Sequence, residues 1–254
     1  MAKGSTDEVE SQVLYELRGD AAWIIINRPE KRNAINEDVS VGLAEAWRRF
    51  KASDDRVAVL TSAGNVAFSS GRDTKEPPKE SWHSVPNVGI DLEKPIIMAM
   101  TGWCIGGAMV YPLMADMIIA DESVRFYYPE ARVGNTGGIM GALVSRMPYK
   151  IAMEVMLLGE EMDAQRAYEV GFVNKVVPKG KHLEVAQEWA RKLAGQAPLV
   201  VQALKSFALA TMPRSPAERF YREVGRLDIL KASEDRKEGQ AAMREKRKPV
   251  FKGR

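Results

Sequence analysis

The chain has 254 residues, 45% of them hydrophobic, so it can bury one large core. Its 37 Lys and Arg against 34 Asp and Glu leave a net charge of +3, which gives no general case for nucleic acid as a partner. One cysteine, Cys104, excludes an internal disulfide and a cysteine zinc site, and two histidines distant in sequence, His83 and His182, point away from a metal centre and from a hydrolase nucleophile–His pair.

Residues 1–10 read as a frayed tail, too polar and acidic for a signal or transit peptide. Gln12 to Leu17 and Ala21 to Asn27 fit two strands around a turn at Arg18-Gly19-Asp20. A basic loop, Arg28 to Ala34, precedes a helix that Asn36 caps, with Val39, Leu43, Ala46, Trp47 and Phe50 on one face. Val57 to Thr61 is a buried strand, and Phe68 to Asp73 a glycine-containing loop. Three prolines and a glycine make residues 75–90 irregular. Strands follow at Ile96–Met100, Met117–Ala120 and Val124–Tyr128, and Gly106 opens an apolar segment long enough for a buried helix. A helix restarts near Ile139 and is broken at Met147-Pro148. Asp163 caps another, and Gly171 to Val177 turns into a last strand. Four helical segments complete the chain: His182–Gln196, Leu199–Thr211, Pro216–Lys231 and Glu234–Lys246. The pattern predicts an α/β core over 1–195 and a helical region over 196–254. No apolar run reaches transmembrane length, and the C-terminal Phe-Lys-Gly-Arg is not a peroxisomal address, so the expected setting is cytoplasmic, with no membrane partner.

The stretch from Thr101 to Gly138 is where chemistry concentrates. Strand, glycine turn and helix start aim free backbone N–H groups at one point, and Gly106, Gly107 and Ala108 let a ligand approach closely. An acid on a turn, Pro129-Glu130, follows some twenty residues later, after a strand-like run. N–H groups that hold an oxygen, with a carboxylate nearby, are the minimum equipment for moving a proton next to a carbonyl. Taken singly, a glycine pair is often close packing and a Pro-Glu pair a solvated turn.

Several segments together resemble the crotonase superfamily, which contains the enoyl-CoA hydratases and isomerases. Asn27 to Ala34 is similar to its N-R-P-x-x-x-N-A loop, and Phe68 to Asp73 to its F-S-A-G-x-D loop. Gly102 to Ala108 is similar to G-x-x-x-G-G-G, Asp116 to Ala120 to D-[IL]-x-[IV]-A, and Phe126 to Glu130 to F-x-x-P-E. Ala167 to Val177 and the tail around Phe251 continue the likeness. The resemblance implies a spiral of ββα repeats with a C-terminal helical region that builds homotrimers or homohexamers. It implies an acyl-CoA substrate, with coenzyme A as part of that substrate and no permanent cofactor. It places the oxyanion donors at the N–H groups of Arg72 and Gly107 and the acid/base at Glu130. Lys31, Arg32, Ala34, Ser69, Ser70, Gly71, Asp73, Phe251 and Lys252 are implied as the coenzyme A contacts.

The resemblance also implies a second carboxylate three residues after Gly107, and the chain has Val110 there. Ordinary hydration is therefore expected to be doubtful, and double-bond isomerisation through one carboxylate is favoured. A narrower likeness, to hydroxycinnamoyl-CoA hydratase-lyases, rests on Gly102-Trp103-Cys104, the non-acidic residue 110 and Phe220-Tyr221-Arg222, and implies that Tyr221 meets a substrate phenol. Tyr221 reads equally as a core or interface aromatic. Arg72 stands where the family pattern has a small or apolar residue, and its guanidinium suits a coenzyme A phosphate or a substrate carboxylate. An acyl-CoA-binding protein with a degenerate centre is the alternative outside enzymes.

Overall fold

β1 (Val13–Arg18) and β2 (Ala21–Ile26) form an antiparallel hairpin, with Val13 opposite Ile26. The computed structural model describes residues 11–19 and 21–254; the expected tail at 1–10 and Asp20 of the expected turn lie outside the described residues. β3 (Val57–Ser62), β5 (Ile96–Met100) and β7 (Met117–Asp121) extend that hairpin in parallel, and β10 (Lys175–Val177) closes the six-stranded sheet in the order β1-β2-β3-β5-β7-β10. β2, β3 and β5 are buried along their whole length. Their unbroken apolar runs fit strands covered on both faces.

A four-stranded sheet runs beside it, in the order β4 (Ala67–Ser69), β6 (Trp103–Ile105), β8 (Arg125–Tyr127) and β9 (Met162–Asp163). Each coil of the chain gives one strand to the large sheet and the next to the small one, so β3-β4, β5-β6 and β7-β8 repeat the same corner. This is the expected α/β spiral.

Asn36 starts α1 (Glu37–Ala52) by accepting the N–H of Val39 at 3.0 Å, and its face Leu43, Trp47 and Phe50 is fully buried in the main core. The opposite face of the sheet is covered by α6 (His182–Ala194), whose Ala186, Ala190 and Ala194 pack on Trp23, Val59 and Ile97. Small residues let that helix lie close to the strands.

Two expected helices take another form. The segment after Gly106 is a 3-10 turn, Gly106–Met109, running into a short α2 (Val110–Met114). β7 starts three residues later, so the chain must turn back before a long helix can form. Gly138–Ser145 is likewise a 3-10 turn. α3 (Glu130–Val133) precedes that turn, and α4 (Tyr149–Met153) and α5 (Ala164–Glu169) follow it, with Asp163 capping α5 as expected.

The last three helices are α7 (Pro198–Thr211), α8 (Pro216–Ala232) and α9 (Glu234–Glu245). Lys205 of α7 reaches the chain just before β5 and β7, donating to Asp116 and to the Lys94 carbonyl, both at 2.8 Å. Asp116 also accepts the N–H of Ile96 at 2.7 Å, so the Asp of the D-[IL]-x-[IV]-A segment ties helix to strand.

Candidate active site

β4, β6 and β8 are parallel neighbours in the small sheet, with Ser69 beside Cys104, and Ile105 beside Tyr127. The residues that leave their carboxyl ends therefore meet. Arg72 follows β4, Gly107 follows β6 and Glu130 follows β8. All three line one cavity of about 400 Å³, together with Val110 and Tyr221.

The two loops that carry Arg72 are zipped together. Ile35 donates to the Gly71 carbonyl and Asp73 donates to the Ile35 carbonyl, both at 2.8 Å. In this parallel bridge between Ile35 and Arg72, the Arg72 N–H faces away from Ile35. Gly107 is the second residue of its 3-10 turn, so its N–H has no partner within that turn. The two groups are close: a methyl added at Gly107 would lie 3.9 Å from the Arg72 nitrogen. Gly71 permits this approach. Its φ of +92° and the 2.7 Å between a would-be Cβ and the Ile105 carbonyl oxygen exclude a larger residue.

Glu130 packs against the same turn. A Cβ at Gly106 would come within 2.7 Å of Glu130 Oε1, and Gly106 itself holds φ +56°. Glu130 Oε2 is buried and has no hydrogen-bond partner among the described residues. Burial pushes the carboxyl up to about 7, opposed by a hydrogen bond from its own backbone N–H. A half-buried carboxyl near neutrality, beside two convergent N–H donors, can take and return a proton next to a polarised carbonyl.

Other residues in and around the wall were not singled out from the sequence. Tyr128 and Thr136 share a hydroxyl hydrogen bond of 3.0 Å in the cavity wall. Trp82 stacks on Tyr221 with ring centres 5.3 Å apart, and Tyr111 bonds to Ser84 at 2.8 Å. Lys79 and Pro78 come from the irregular loop. Tyr128, directly before Pro129-Glu130, had a positional hint; the loop residues had none.

The residues expected to contact coenzyme A divide. Arg32 and Ser70 line a different cavity, with Trp103 and Tyr127, and the Ser70 N–H is bonded to the Arg32 carbonyl at 2.9 Å. Lys31 is exposed next to them, Ala34 is buried, and the Ser69 hydroxyl donates to the Asn33 carbonyl at 2.7 Å. Asp73 has a different job. The Arg28 guanidinium at 2.6 Å, with the N–H groups of Glu76 and Lys75, holds its carboxyl at about 2. That carboxylate fastens the two loops and is not free for a ligand. Phe251 and Lys252 are not brought to this place in the chain: Phe251 packs by Gly239 of α9, and Lys252 lines a separate cleft with Asp235 and Glu238. His83 stands apart from these residues, 3.4 Å from Glu80 and 3.1 Å from Asp228.

Comparison with known proteins gives a consistent picture. The profile of the family described as enoyl-CoA hydratase/isomerase matches residues 18–254. An (E)-benzylidenesuccinyl-CoA hydratase of Thauera aromatica is 34% identical over 257 residues, 95% of this chain and 99% of the relative. A carnitinyl-CoA dehydratase of Salmonella enteritidis is 37% identical over 255 residues, 93% of this chain and 96% of the relative. The crystal structure of a carnitinyl-CoA hydratase from Mycobacterium avium superposes with a TM-score of 0.76 at 34% identity, covering 96% of this chain and 99% of that one.

Proposed function

The chain belongs to the enoyl-CoA hydratase/isomerase family, and we propose that it adds water to, or removes it from, the double bond of an acyl-CoA thioester with Glu130 as its one carboxylate. The observation that carries this reading is the buried, unpartnered Oε2 of Glu130 in the cavity where the Arg72 and Gly107 N–H groups converge. Those donors hold the thioester oxygen. Glu130 takes a proton from water, the water oxygen bonds to the β-carbon, and the double-bond electrons move onto the held oxygen as an enolate. The α-carbon then recovers the proton from Glu130, and the O–H bond broken is balanced by the C–H bond formed. The Tyr128–Thr136 hydroxyl pair, in the same cavity wall as Glu130, gives the water a place to bind.

The doubt that Val110 casts on hydration is set aside in this reading, because relatives similar over nearly the whole chain carry the names hydratase and dehydratase. Val110 favours isomerisation as the second reading, since the same glutamate can move a proton between two carbons of the acyl chain. Hydroxycinnamoyl cleavage receives less support, because Tyr221 is stacked flat on Trp82 as part of the wall.

A panel of 2-enoyl-, 3-enoyl-, 3-hydroxyacyl- and feruloyl-CoA tests the choice by following loss or gain of the conjugated enoyl absorbance. Water addition to 2-enoyl thioesters, lost in Glu130→Gln, is the expected result. Turnover of 3-enoyl thioesters alone would select isomerisation, and binding without any turnover would select a degenerate centre.

A further inference from the structure

We propose that the acyl group taken by this pocket carries a second carboxylate, recognised by the Arg72 side chain with Lys79 beside it. This deepens the reading of the cavity as an acyl-CoA site and rests on it.

Arg72 serves the oxyanion with its backbone, which leaves its side chain for another role. The guanidinium follows the irregular loop and donates through Nη2 to the Pro78 carbonyl at 3.1 Å. That bond holds the group at the cavity wall and leaves most of its five donors unspent. Other partly buried arginines are occupied: Arg28 by Asp73, Arg222 by Asp91, and Arg146 by Glu218. Among the described residues, neither Arg72 nor Lys79 has an ion-pair partner, yet both line the cavity.

The acids of the wall do not cancel them. Glu80 stands 3.4 Å from His83, and Glu130 packs on Gly106. The remaining surface includes Trp82, Tyr221 and Val110, an apolar lining that suits the carbon chain. A fork of free N–H donors in such a wall gives nothing to a chain ending in methyl and a charge-assisted pair to one ending in carboxylate. A coenzyme A phosphate offers the guanidinium similar chemistry, so the test must separate the two sources.

Saturated thioesters do so, because they bind without reacting. Succinyl-, glutaryl- and adipyl-CoA are titrated calorimetrically against butyryl-, valeryl- and hexanoyl-CoA, which match them in length and share the same coenzyme. The expected result is that at least one acid thioester binds ~10-fold or more tightly than its methyl-ended partner, the scale of one charged hydrogen bond. Arg72→Gln should erase that ratio, and Arg72→Lys should keep part of it, with thermal melts checking that each variant folds. Equal weakening of both series by Arg72→Gln would assign the guanidinium to a phosphate and overturn the proposal. A methyl preference at every length overturns it as well. If no thioester binds, the acyl-CoA reading falls and takes the proposal with it. An acid preference alongside full turnover in Glu130→Gln would leave the proposal standing and remove the mechanism.

Discussion

A carboxyl that must both take and return a proton works best when its pKa lies near the working pH, and burial holds Glu130 at about 7. The rate profile is therefore expected to inflect near pH 7, and a profile flat from pH 5 to 9 would remove Glu130 as the titrating group. Glu130→Gln should lower turnover by ~10²–10⁴-fold, the usual cost of losing a general acid/base. The same change should act on stability in the opposite direction. The folded pKa is raised above the unfolded value, so the stability that the neutral carboxyl contributes at low pH is lost as pH rises through about 7. Thermal melts should show Glu130→Gln more stable than the parent above pH 7 and nearly equal below pH 4. At this scale the meeting of Arg72, Gly107 and Glu130 in one cavity was legible in sequence, because each sits in a family-like segment built on a glycine or proline turn. Much of the wall was not: Trp82 and Lys79 sit in an irregular loop and have no periodic neighbours to betray where they point.

Asn33 shows why whole loops, and not single side chains, carry the likeness. It holds φ 54° while its side chain donates to the Ala63 and Ala67 carbonyls, each at 2.9 Å, and accepts the Arg28 N–H at 3.0 Å. Asparagine tolerates the left-handed region better than other residues with a Cβ. Asn33→Ala should cost about 3 kcal/mol in denaturant unfolding, from lost bonds to buried backbone and the strained φ. A loss under about 1 kcal/mol would show the two loops to be joined mainly by their backbone bonds. The long strands of the large sheet were legible as apolar runs, whereas β4, β6 and β9 have two or three residues each, too few for any period to show. The 3-10 turn at Gly106 looked like the start of a long helix because composition reports burial and says nothing about where the next strand must begin.

Across the molecule, the helical end leaves much of its apolar surface open. Val200, Leu204 and Phe207 form one stripe along α7 and are 56%, 62% and 69% exposed, and no residue of that helix is buried. Covering each such side chain is worth ~1.5–3 kcal/mol, ample to drive association of a stripe repeated in every copy. Sedimentation at micromolar concentration is expected to find trimers or hexamers, and Leu204→Asp with Phe207→Asp to shift them toward the 28.2 kDa chain. A parent that sediments as a single chain would contradict this.

The three corners that leave β4, β6 and β8 divide the labour of the chain in a way that matters for its history. Arg72, Gly107 and Glu130, proposed as two oxygen holders and a proton carrier, come from successive coils locked by strand register, so shortening any one corner would misalign the trio. The loop between Thr74 and Leu92 hangs outside that register. Insertions and exchanges there would reshape one wall of the cavity while Arg72, Gly107 and Glu130 stay where they are. The shape of the pocket can thus drift by editing a connection that the strand register does not constrain.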